Sequence, residues 1–426
     1  MKKLLALVLA LVLTVAAASF ALAEEETIRV YTHMGAQIEA IKDAFETANP
    51  GVKVIVDNCP YESLNDQYEV LLSSKSDEYD VIIVDGPNTA AYVSRGYLAP
   101  LTDYFTTEEI GAFSEALVKQ GTVNGTFYSA PMGDSCTILY YNKALLAESG
   151  VEFDFSQFDG VNSRLTWTGL IDLATKVTKA LDPDGSRGIL FPIAFGQVSE
   201  VYMMNTLPNS LGGANISEDG LKVSGIIDSD AWMEALKFYQ DNVNAGIFDR
   251  GLGAFEGYGN FYAGKIPFIV MTTDSYNYAL AGGMKPEDIG FTYLPAFEGH
   301  EDQVATACGN WTAAVSAFSG HKDAAGKFVN WITYGEGNDL FLKQESMVPN
   351  MPSRFTEELY QVNPALVIAA AESGVTSVPR AVTPGFNEYC AVLNAMWEDI
   401  RNGSDIEDTV ADAVAQLDSA LEYYAD

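Results

Sequence analysis

Imidazole, carboxylate and amide side chains follow two of the strands that the sequence predicts. His33 closes the run Thr27–His33, whereas Asp85 and Asn88 follow the apolar run Val81–Val84. Ligands bind beyond the carboxyl ends of the strands in a doubly wound sheet, so these side chains are expected on one rim. A carboxylate directly after a buried strand needs donors, which a bound ligand can supply. The pattern predicts polar binding, although His33 could equally be an internally paired turn residue.

A second polar pair lies where the chain is expected to pass from one lobe to another. Asp134 and Ser135 belong to Pro131–Lys143, PMGDSCTILYYNK, which separates a first α/β unit from a second. We interpret this segment as a hinge strand that also forms the floor of a cleft. Ala307–Ser316, which contains Trp311, is predicted to be a second extended crossing beside the first.

Further polar and aromatic candidates lie in the second unit. Tyr202 and Asn205 occur in a helical stretch that starts at Gln197. Asp274 begins a polar-aromatic loop after the apolar strand Ile266–Met271. Hydroxyl, amide and carboxylate groups of this kind suit a ligand rich in hydrogen-bonding groups.

The patterns of metal, nucleotide and serine-nucleophile chemistry are missing from the sequence. Its three histidines are far apart, and there is no HExxH, phosphate-loop or G-x-S-x-G pattern. The loop Asp182–Gly188 lacks the sixth-position glycine and closing glutamate of a calcium-binding EF-hand, so a turn is predicted. A glycosidase-type carboxylate pair stays open among 58 acidic residues. We expect no metal, no cofactor and no enzyme activity.

Length and charge narrow the class of protein. A chain of 426 residues suits two domains or a two-lobed unit. The net charge of −34 disfavours nucleic acid and anionic lipid as partners. Because 48% of the residues are hydrophobic, the acidity indicates a solvated surface rather than disorder.

The N-terminal residues 1–23 have the pattern of a signal peptide. Two lysines precede a long apolar run that ends in Ala-Leu-Ala before three glutamates. We expect cleavage after Ala23 and export to the periplasm or the extracellular space, with no membrane insertion afterwards; a retained anchor is the alternative. The segment contains no cysteine, so tethering as a lipoprotein is not expected.

Four cysteines, Cys59, Cys136, Cys308 and Cys390, are widely separated. Three pairings are possible if all four form disulfides, and free buried thiols are equally compatible with the spacing. Only Cys136 and Cys308 invite a specific pairing, because both lie in segments that are predicted to cross between lobes.

The elements that must position these candidates alternate between strand and helix. Gly35 opens a helix that ends at Pro50–Gly51, and an alternating valine strand, Val52–Val56, follows it. Together with the strands on either side, this order predicts right-handed βαβ units in a doubly wound sheet.

Six blocks in order carry a family resemblance across nearly all of the chain. They are ETANPGVKV, YDVIIVDGPNTAAYVSRGYLAPLTDYF, YSAPMGDSCTILYYNKALLAESGV, TWTGLIDLA, FYAGKIPFIVM and SGHKDAAGKFVNWIT. The sequence resembles extracellular solute-binding protein family 1 of ABC importers, which includes maltose- and oligosaccharide-binding proteins. The resemblance implies the two-lobed type II periplasmic-binding-protein fold, α/β, with a mostly parallel doubly wound sheet in each lobe and a hinge of several strands.

The resemblance also implies how the chain is divided. After the signal peptide, residues 24–134 form the first part of lobe 1 and residues 135–306 the first part of lobe 2. Residues 307–340 return to lobe 1, and residues 341–426 supply the C-terminal helices of lobe 2.

Several site residues follow from the matched blocks. The loop after the third strand contributes Asp85 and Asn88. Tyr276 takes the place of the family's stacking aromatic, although Asp274-Ser275-Tyr276 departs from the usual Gly-x-Trp setting. The matched positions also place Trp311, Tyr202 and Phe386 at the cleft.

The leading hypothesis is a protein that captures an oligosaccharide or related carbohydrate and delivers it to the permease subunits of an ABC importer. Net acidity and the three aspartates Asp85, Asp134 and Asp274 favour an alternative, the same fold with a polyamine or other cationic solute. A secreted enzyme acting on glycosides is a third possibility. The sequence does not separate import from a sensory role.

Overall fold

The structure is a computed structural model, and it describes residues 25–196, 201–252 and 256–425. The predicted signal peptide and the start of the stretch at Gln197 therefore lie outside the described residues. The strands are β1 (Glu26–Thr32), β2 (Val52–Asn58), β3 (Val81–Asp85), β4 (Thr122–Val123), β5 (Thr126–Phe127), β6 (Ser129–Gly133), β7 (Thr137–Asn142), β8 (Ile193–Phe195), β9 (Phe268–Thr272), β10 (Ile289–Thr292), β11 (Thr306–Ala307), β12 (Trp311–Val315) and β13 (Ser377–Val378).

Helices surround these strands. They are α1 (Gly35–Ala48), α2 (Leu64–Ser73), α3 (Asn88–Ser94), α4 (Thr107–Ala112), α5 (Glu115–Gly121), α6 (Lys143–Ser149), α7 (Trp167–Leu181), α8 (Val201–Met204), α9 (Thr206–Asn209), α10 (Asp230–Asn244), α11 (Glu256–Tyr262), α12 (Ser275–Ala281), α13 (Lys322–Thr333), α14 (Glu336–Glu345), α15 (Glu357–Val362), α16 (Leu366–Glu372), α17 (Phe386–Arg401) and α18 (Ile406–Glu422). Short 3-10 turns occur at Tyr61–Ser63, Phe155–Gln157, Pro286–Asp288 and Pro352–Arg354.

The first sheet has the order β2-β1-β3-β12-β6. β1 runs parallel to β2 and β3, whereas β12 is antiparallel to both β3 and β6. Residues Val81–Val84 of β3 are completely buried, as expected for a strand with both faces covered. The predicted βαβ order of the first unit is confirmed, and it brings the ends of β1, β2 and β3 to one rim.

The second sheet has the order β10-β7-β9-β8 and differs from the prediction. β7 is antiparallel to β9 and β10, and only β8 and β9 are parallel. The expectation of a mostly parallel sheet is therefore wrong for this lobe. β7 arrives directly from β6 across the hinge, so no βαβ unit sets its direction.

The two sheets are joined at the segment that was predicted to be a hinge. β6 ends at Gly133 in the first sheet and β7 begins at Thr137 in the second. Trp311 pairs with Gly133, which confirms that the second crossing lies beside the first. Asp134 also exchanges two backbone hydrogen bonds with Val348, of 2.8 and 3.0 Å, so a further strand-like segment joins the hinge.

The helices bury the faces that their sequence periodicity predicts. Ile38, Ile41 and Phe45 of α1 lie in the core, as do Trp167, Leu170, Leu173, Ala174 and Val177 of α7. The Thr166 hydroxyl caps α7 by accepting a hydrogen bond from the Gly169 amide. Four of the tryptophans are also buried in these packed faces: Trp167, Trp232, Trp331 and Trp397.

One predicted lobe boundary cuts through a helix. The division at residues 340 and 341 falls inside α14 (Glu336–Glu345), which packs against α1 of the first lobe. We therefore propose that the return segment extends beyond residue 340. A continuous amphipathic helix has no local signal at the point where a domain assignment changes.

The four cysteines are free thiols, so the bond considered between Cys136 and Cys308 is not formed. The loop Asp182–Gly188 is a turn, as predicted. The Asp182 carboxylate accepts hydrogen bonds from the backbone N–H groups of Arg187, Gly188 and Ile189. None of the described helices is long and apolar enough to cross a membrane.

Candidate ligand-binding cleft

A cavity of about 400 Å³ opens between the two sheets beside the hinge. It contains seven of the predicted residues: His33, Asp85, Asp134, Ser135, Tyr202, Asp274 and Trp311. It also contains residues that the sequence did not single out: Met34, Gln37, Tyr61, Tyr258, Thr272, Ser275, Tyr278, Gly309, Glu345, Met347 and Arg380. A volume of this size suits a small molecule of several rings or a short oligomer.

Three aromatic rings form the wall on the first lobe. The His33 and Trp311 rings lie 4.1 Å apart between centroids, and Tyr61 approaches His33 edge-on at 5.5 Å. Tyr61 and Trp311 are 6.1 Å apart in a T-shaped arrangement. Each ring comes from the rim of the first sheet, because His33 follows β1, Tyr61 follows β2 and Trp311 begins β12.

The second lobe contributes a wall of tyrosines. Tyr202 lies in α8, Tyr258 in α11 and Tyr278 in α12, and all three line the cavity. Tyr278 is 54% exposed, whereas Tyr258 is almost completely buried. Aromatic surfaces therefore face the cavity from both lobes.

His33 lies in the cleft as a neutral imidazole. Burial lowers its pKa to about 4, even though the nearby Asp85 carboxylate acts in the opposite direction. Its buried Nδ1 has no hydrogen-bond partner. A neutral imidazole with a free nitrogen can donate to or accept from one hydroxyl group of a ligand.

An ion pair between Asp85 and Arg380 crosses the cleft. The Arg380 guanidinium donates to both carboxylate oxygens of Asp85, and its Nε donates to the Cys308 carbonyl at 3.1 Å. The guanidinium also lies 5.3 Å from the Tyr202 ring centroid, as in a cation–π contact. Burial is the largest single influence on Arg380 and opposes its charge, but attraction to Asp85 and the hydrogen bonds to that carboxylate together keep the pKa of Arg380 raised.

The floor of the cleft is built on the hinge. The Ser135 hydroxyl is hydrogen-bonded to the Tyr202 hydroxyl, and the Ser135 amide donates to the Asp134 carboxylate at 2.8 Å. Burial raises the pKa of Asp134 to about 7, against the lowering effect of the Ser135 amide and of Arg380. The predicted placement of Asp134 and Ser135 at the cleft floor agrees with this geometry.

Two further carboxyl groups face the cavity, Asp274 from the second lobe and Glu345 from the end of α14. Burial raises the pKa of both groups, and repulsion from Asp274 raises that of Glu345 further. The buried Oδ1 atom of Asp274 has no hydrogen-bond partner.

Four predicted site residues do not line this cavity. Asn88 is 2% exposed at the start of α3, and Tyr276 is buried against Phe291, in a T-shaped contact of 6.1 Å. Asn205 and Phe386 line a separate small cavity behind Tyr202 and Arg380. The Asn205 side chain is hydrogen-bonded to Asn215, Tyr389 and Trp397, so its amide groups already have partners within the protein.

Tyr278 lines the cavity in place of the predicted Tyr276, and the geometry of the helix explains why. Both residues lie on α12, and a two-residue step turns a side chain to a different face of a helix. Tyr276 consequently faces the core, while Tyr278 reaches the cavity.

Tyr61 and Arg380 were missed for different reasons. Tyr61 follows β2, so the strand-end rule that selected His33 and Asp85 would also have selected it. Arg380 follows β13 in an irregular segment and is brought to Asp85 only by the tertiary fold, 295 positions away along the chain. The sequence signal that could have pointed to Arg380 was the scarcity of basic residues, 24 against 58 acidic ones.

Two α/β lobes around a cleft of aromatic and polar residues define a solute-binding protein of the periplasmic type. Residues 31–336 match the family described as "Bacterial extracellular solute-binding protein", and the chain belongs to that family. This confirms the resemblance found in the sequence.

Several known proteins are similar to this chain in sequence or in fold. The galactooligosaccharide-binding protein of Bacillus subtilis is 22% identical over 356 residues, which cover 80% of this chain and 75% of that protein. The GacH receptor of Streptomyces glaucescens, solved unliganded and with acarbose, has a TM-score of 0.77 and 20% identity, covering 93% of this chain and 99% of its own.

An ABC substrate-binding protein from Listeria monocytogenes, solved in complex with cycloalternan, gives a TM-score of 0.78 with 19% identity. The match covers 93% of this chain and 99% of that one. The predicted two-lobed type II fold is therefore confirmed.

Proposed function

We propose that this protein captures an oligosaccharide or a related carbohydrate in the cleft between its lobes. The observation that carries the proposal is the presence of aromatic rings on both walls, Trp311 with Tyr61 on one and the tyrosines on the other, beside the Asp85–Arg380 pair. A pyranose has an apolar C–H face that packs on an aromatic ring, and its hydroxyls require fixed donors and acceptors. The cleft offers both kinds of contact.

Within this proposal six of the seven predicted residues at the cleft have a part. Trp311 and Tyr202 supply ring surface, while Asp85, Asp134, Ser135 and His33 exchange hydrogen bonds with hydroxyl groups. Charged partners make the stronger hydrogen bonds, so Asp85 and Arg380 would fix the orientation of the sugar.

The family context supports delivery to the permease subunits of an ABC importer. Binding would favour closure of the two lobes about the hinge, and the closed form would dock on the permease. Residues 1–23 would direct export, so that the mature protein acts outside the cytoplasm. Its relatives are solute-binding proteins, and we propose no catalytic step.

The second candidate is a polyamine or other cation bound in the same cleft. Four carboxylic residues, Asp85, Asp134, Asp274 and Glu345, line the cavity with a single arginine. The pairing of Asp85 with Arg380 and the raised pKa of Asp134 both reduce the negative charge available. A sugar makes fuller use of the aromatic walls.

Calorimetry with the mature protein tests the choice. Malto-, xylo- and manno-oligosaccharides would be titrated in parallel with putrescine and spermidine. We expect saturable heat with one oligosaccharide series and a change in tryptophan fluorescence that is lost in Trp311→Phe. Binding of a polyamine with no response to any sugar would refute the carbohydrate proposal.

A further inference from the structure

One end of the proposed sugar site is formed by two carboxyl groups, one from each lobe. We propose, resting on the carbohydrate function above, that the natural ligand is an amino-sugar-containing oligosaccharide whose protonated amine lies between Asp274 and Glu345. This narrows the class of ligand within the same cleft.

The two groups reach the cavity from opposite sides. Asp274 follows β9 of the second sheet, and Glu345 is the last residue of α14, which packs against α1 of the first lobe. Both line the cavity together with Gln37 of α1 and Tyr278 of α12. A group bound between them would therefore contact both lobes.

One oxygen atom of Asp274 has no hydrogen-bond donor inside the protein. The Asp274 Oδ1 atom is buried and accepts no hydrogen bond. A buried carboxylate oxygen without a donor is costly, and native proteins rarely leave one unless something else binds there. Asp274 lines the cavity, so a ligand bound there would lie beside this carboxyl group and could supply the missing donor.

The described residues that line the cavity offer no free cation to neutralise this pair. Among the described residues that line the cavity, Arg380 is the single arginine or lysine. Its guanidinium is committed to Asp85 and to the Cys308 carbonyl. Burial raises the pKa values of Asp274 and Glu345, and repulsion from Asp274 raises that of Glu345 further; a cationic ligand would relieve this condition.

The surroundings favour an ammonium group over a metal ion. Among residues 25–196, 201–252 and 256–425, no group of three or more histidine, cysteine, aspartate or glutamate side chains is arranged to hold a metal. Hard cations such as Ca²⁺ require six to eight oxygen ligands. An ammonium group needs only a few acceptors and also gains from nearby tyrosine rings such as Tyr278.

The test compares sugars that differ only at the amine. A thermal-shift screen of neutral, N-acetylated and free-amine oligosaccharides of each linkage would identify the series that binds, and calorimetry would measure the matched members. We expect the free-amine sugar to bind roughly tenfold or more tightly than its N-acetylated and neutral counterparts, because two charged hydrogen bonds are added. The advantage should shrink in 1 M NaCl.

Substitutions test whether Asp274 and Glu345 cause the preference for the free-amine sugar. Asp274→Asn and Glu345→Gln should each remove most of the difference in affinity between the free-amine sugar and its neutral counterpart. Glu336→Gln, which removes an exposed charge from the same helix, is the control and should leave the preference unchanged.

The outcomes separate this inference from the function on which it rests. If a neutral sugar binds as tightly as its amine counterpart, or if Asp274→Asn retains the preference, the amine site is refuted and the carbohydrate function stands. If diamines bind and no sugar does, both are refuted.

Discussion

Tyr61 is a residue whose position makes it a sensitive probe of the cleft. Its ring is 46% exposed and lies edge-on to both His33 and Trp311. A ligand that packs on Trp311 would therefore also contact Tyr61, whereas the folded core depends little on an exposed ring.

Replacing Tyr61 with alanine should weaken oligosaccharide binding without destabilising the protein. Loss of one aromatic contact corresponds to about 1 kcal/mol, or roughly a fivefold increase in Kd. Calorimetry and thermal unfolding would be measured on the same samples. Tyr423→Ala, at a tyrosine that is 83% exposed near the C-terminus, is the control and should leave Kd unchanged. An unchanged Kd in Tyr61→Ala would remove this ring from the site.

The raised pKa of Asp134, about 7, predicts a pH dependence of stability. A carboxyl group with a higher pKa in the folded than in the unfolded state stabilises the fold below about pH 4, and this contribution is lost as the pH rises through 7. Urea unfolding without ligand should therefore show Asp134→Asn gaining stability relative to the native protein between pH 5 and pH 8, by at most about 4 kcal/mol. A difference that stays constant with pH would contradict the burial of this group.

At the scale of elements, a buried ion pair fixes α16 to the second lobe. Arg164, just before α7, donates to both carboxylate oxygens of Glu372 at 2.7 and 2.8 Å, and also to the Leu294 carbonyl. Both side chains are 1% exposed. The Thr376 hydroxyl donates to Glu372 as well, which completes the local network.

Glu372→Gln should cost about 3–5 kcal/mol of unfolding free energy, because the Arg164 charge would remain buried without its partner. The double variant Arg164→Met/Glu372→Gln should recover part of that loss. Asp172→Asn, which breaks the pair with Lys176 whose side chains are both 62% exposed, is the control and should change stability by less than about 1 kcal/mol. Urea unfolding of all three variants would measure these changes in unfolding free energy. A small effect at Glu372 would show that the pair is solvated.

At the scale of the whole molecule, the crossings set how the lobes meet. Gly309 lies in the second crossing, where an added Cβ would overlap the Ser135 hydroxyl and lie 2.7 Å from the Tyr202 hydroxyl. The glycine therefore permits the contact between the hinge and the second lobe.

Gly309→Ala should break the contact between Ser135 and Tyr202 and weaken ligand binding while the individual lobes remain folded. Small-angle scattering should show a ligand-induced decrease in the radius of gyration for the native protein and a smaller one for the variant. Gly320→Ala, where an added Cβ meets no atom within 4 Å, is the control. Equal compaction in both variants would refute this role for Gly309.

Local patterns in the sequence predicted a large part of this architecture. The periodicity of α1, the buried run of β3 and the end of each rim strand depend on neighbouring residues, so the sequence is enough to identify them. The strand-end rule placed His33 and Asp85 at the cavity for the same reason.

Only the tertiary structure decided which side chains meet across the cleft. Arg380 reaches Asp85, and Asp274 and Glu345 share one cavity, because separate lobes bring distant segments together. The antiparallel second sheet likewise follows from how β7 crosses the hinge. Sequence periodicity shows which face of an element is buried but not which distant element covers it. The opposing charges and rings therefore became visible only in the folded chain.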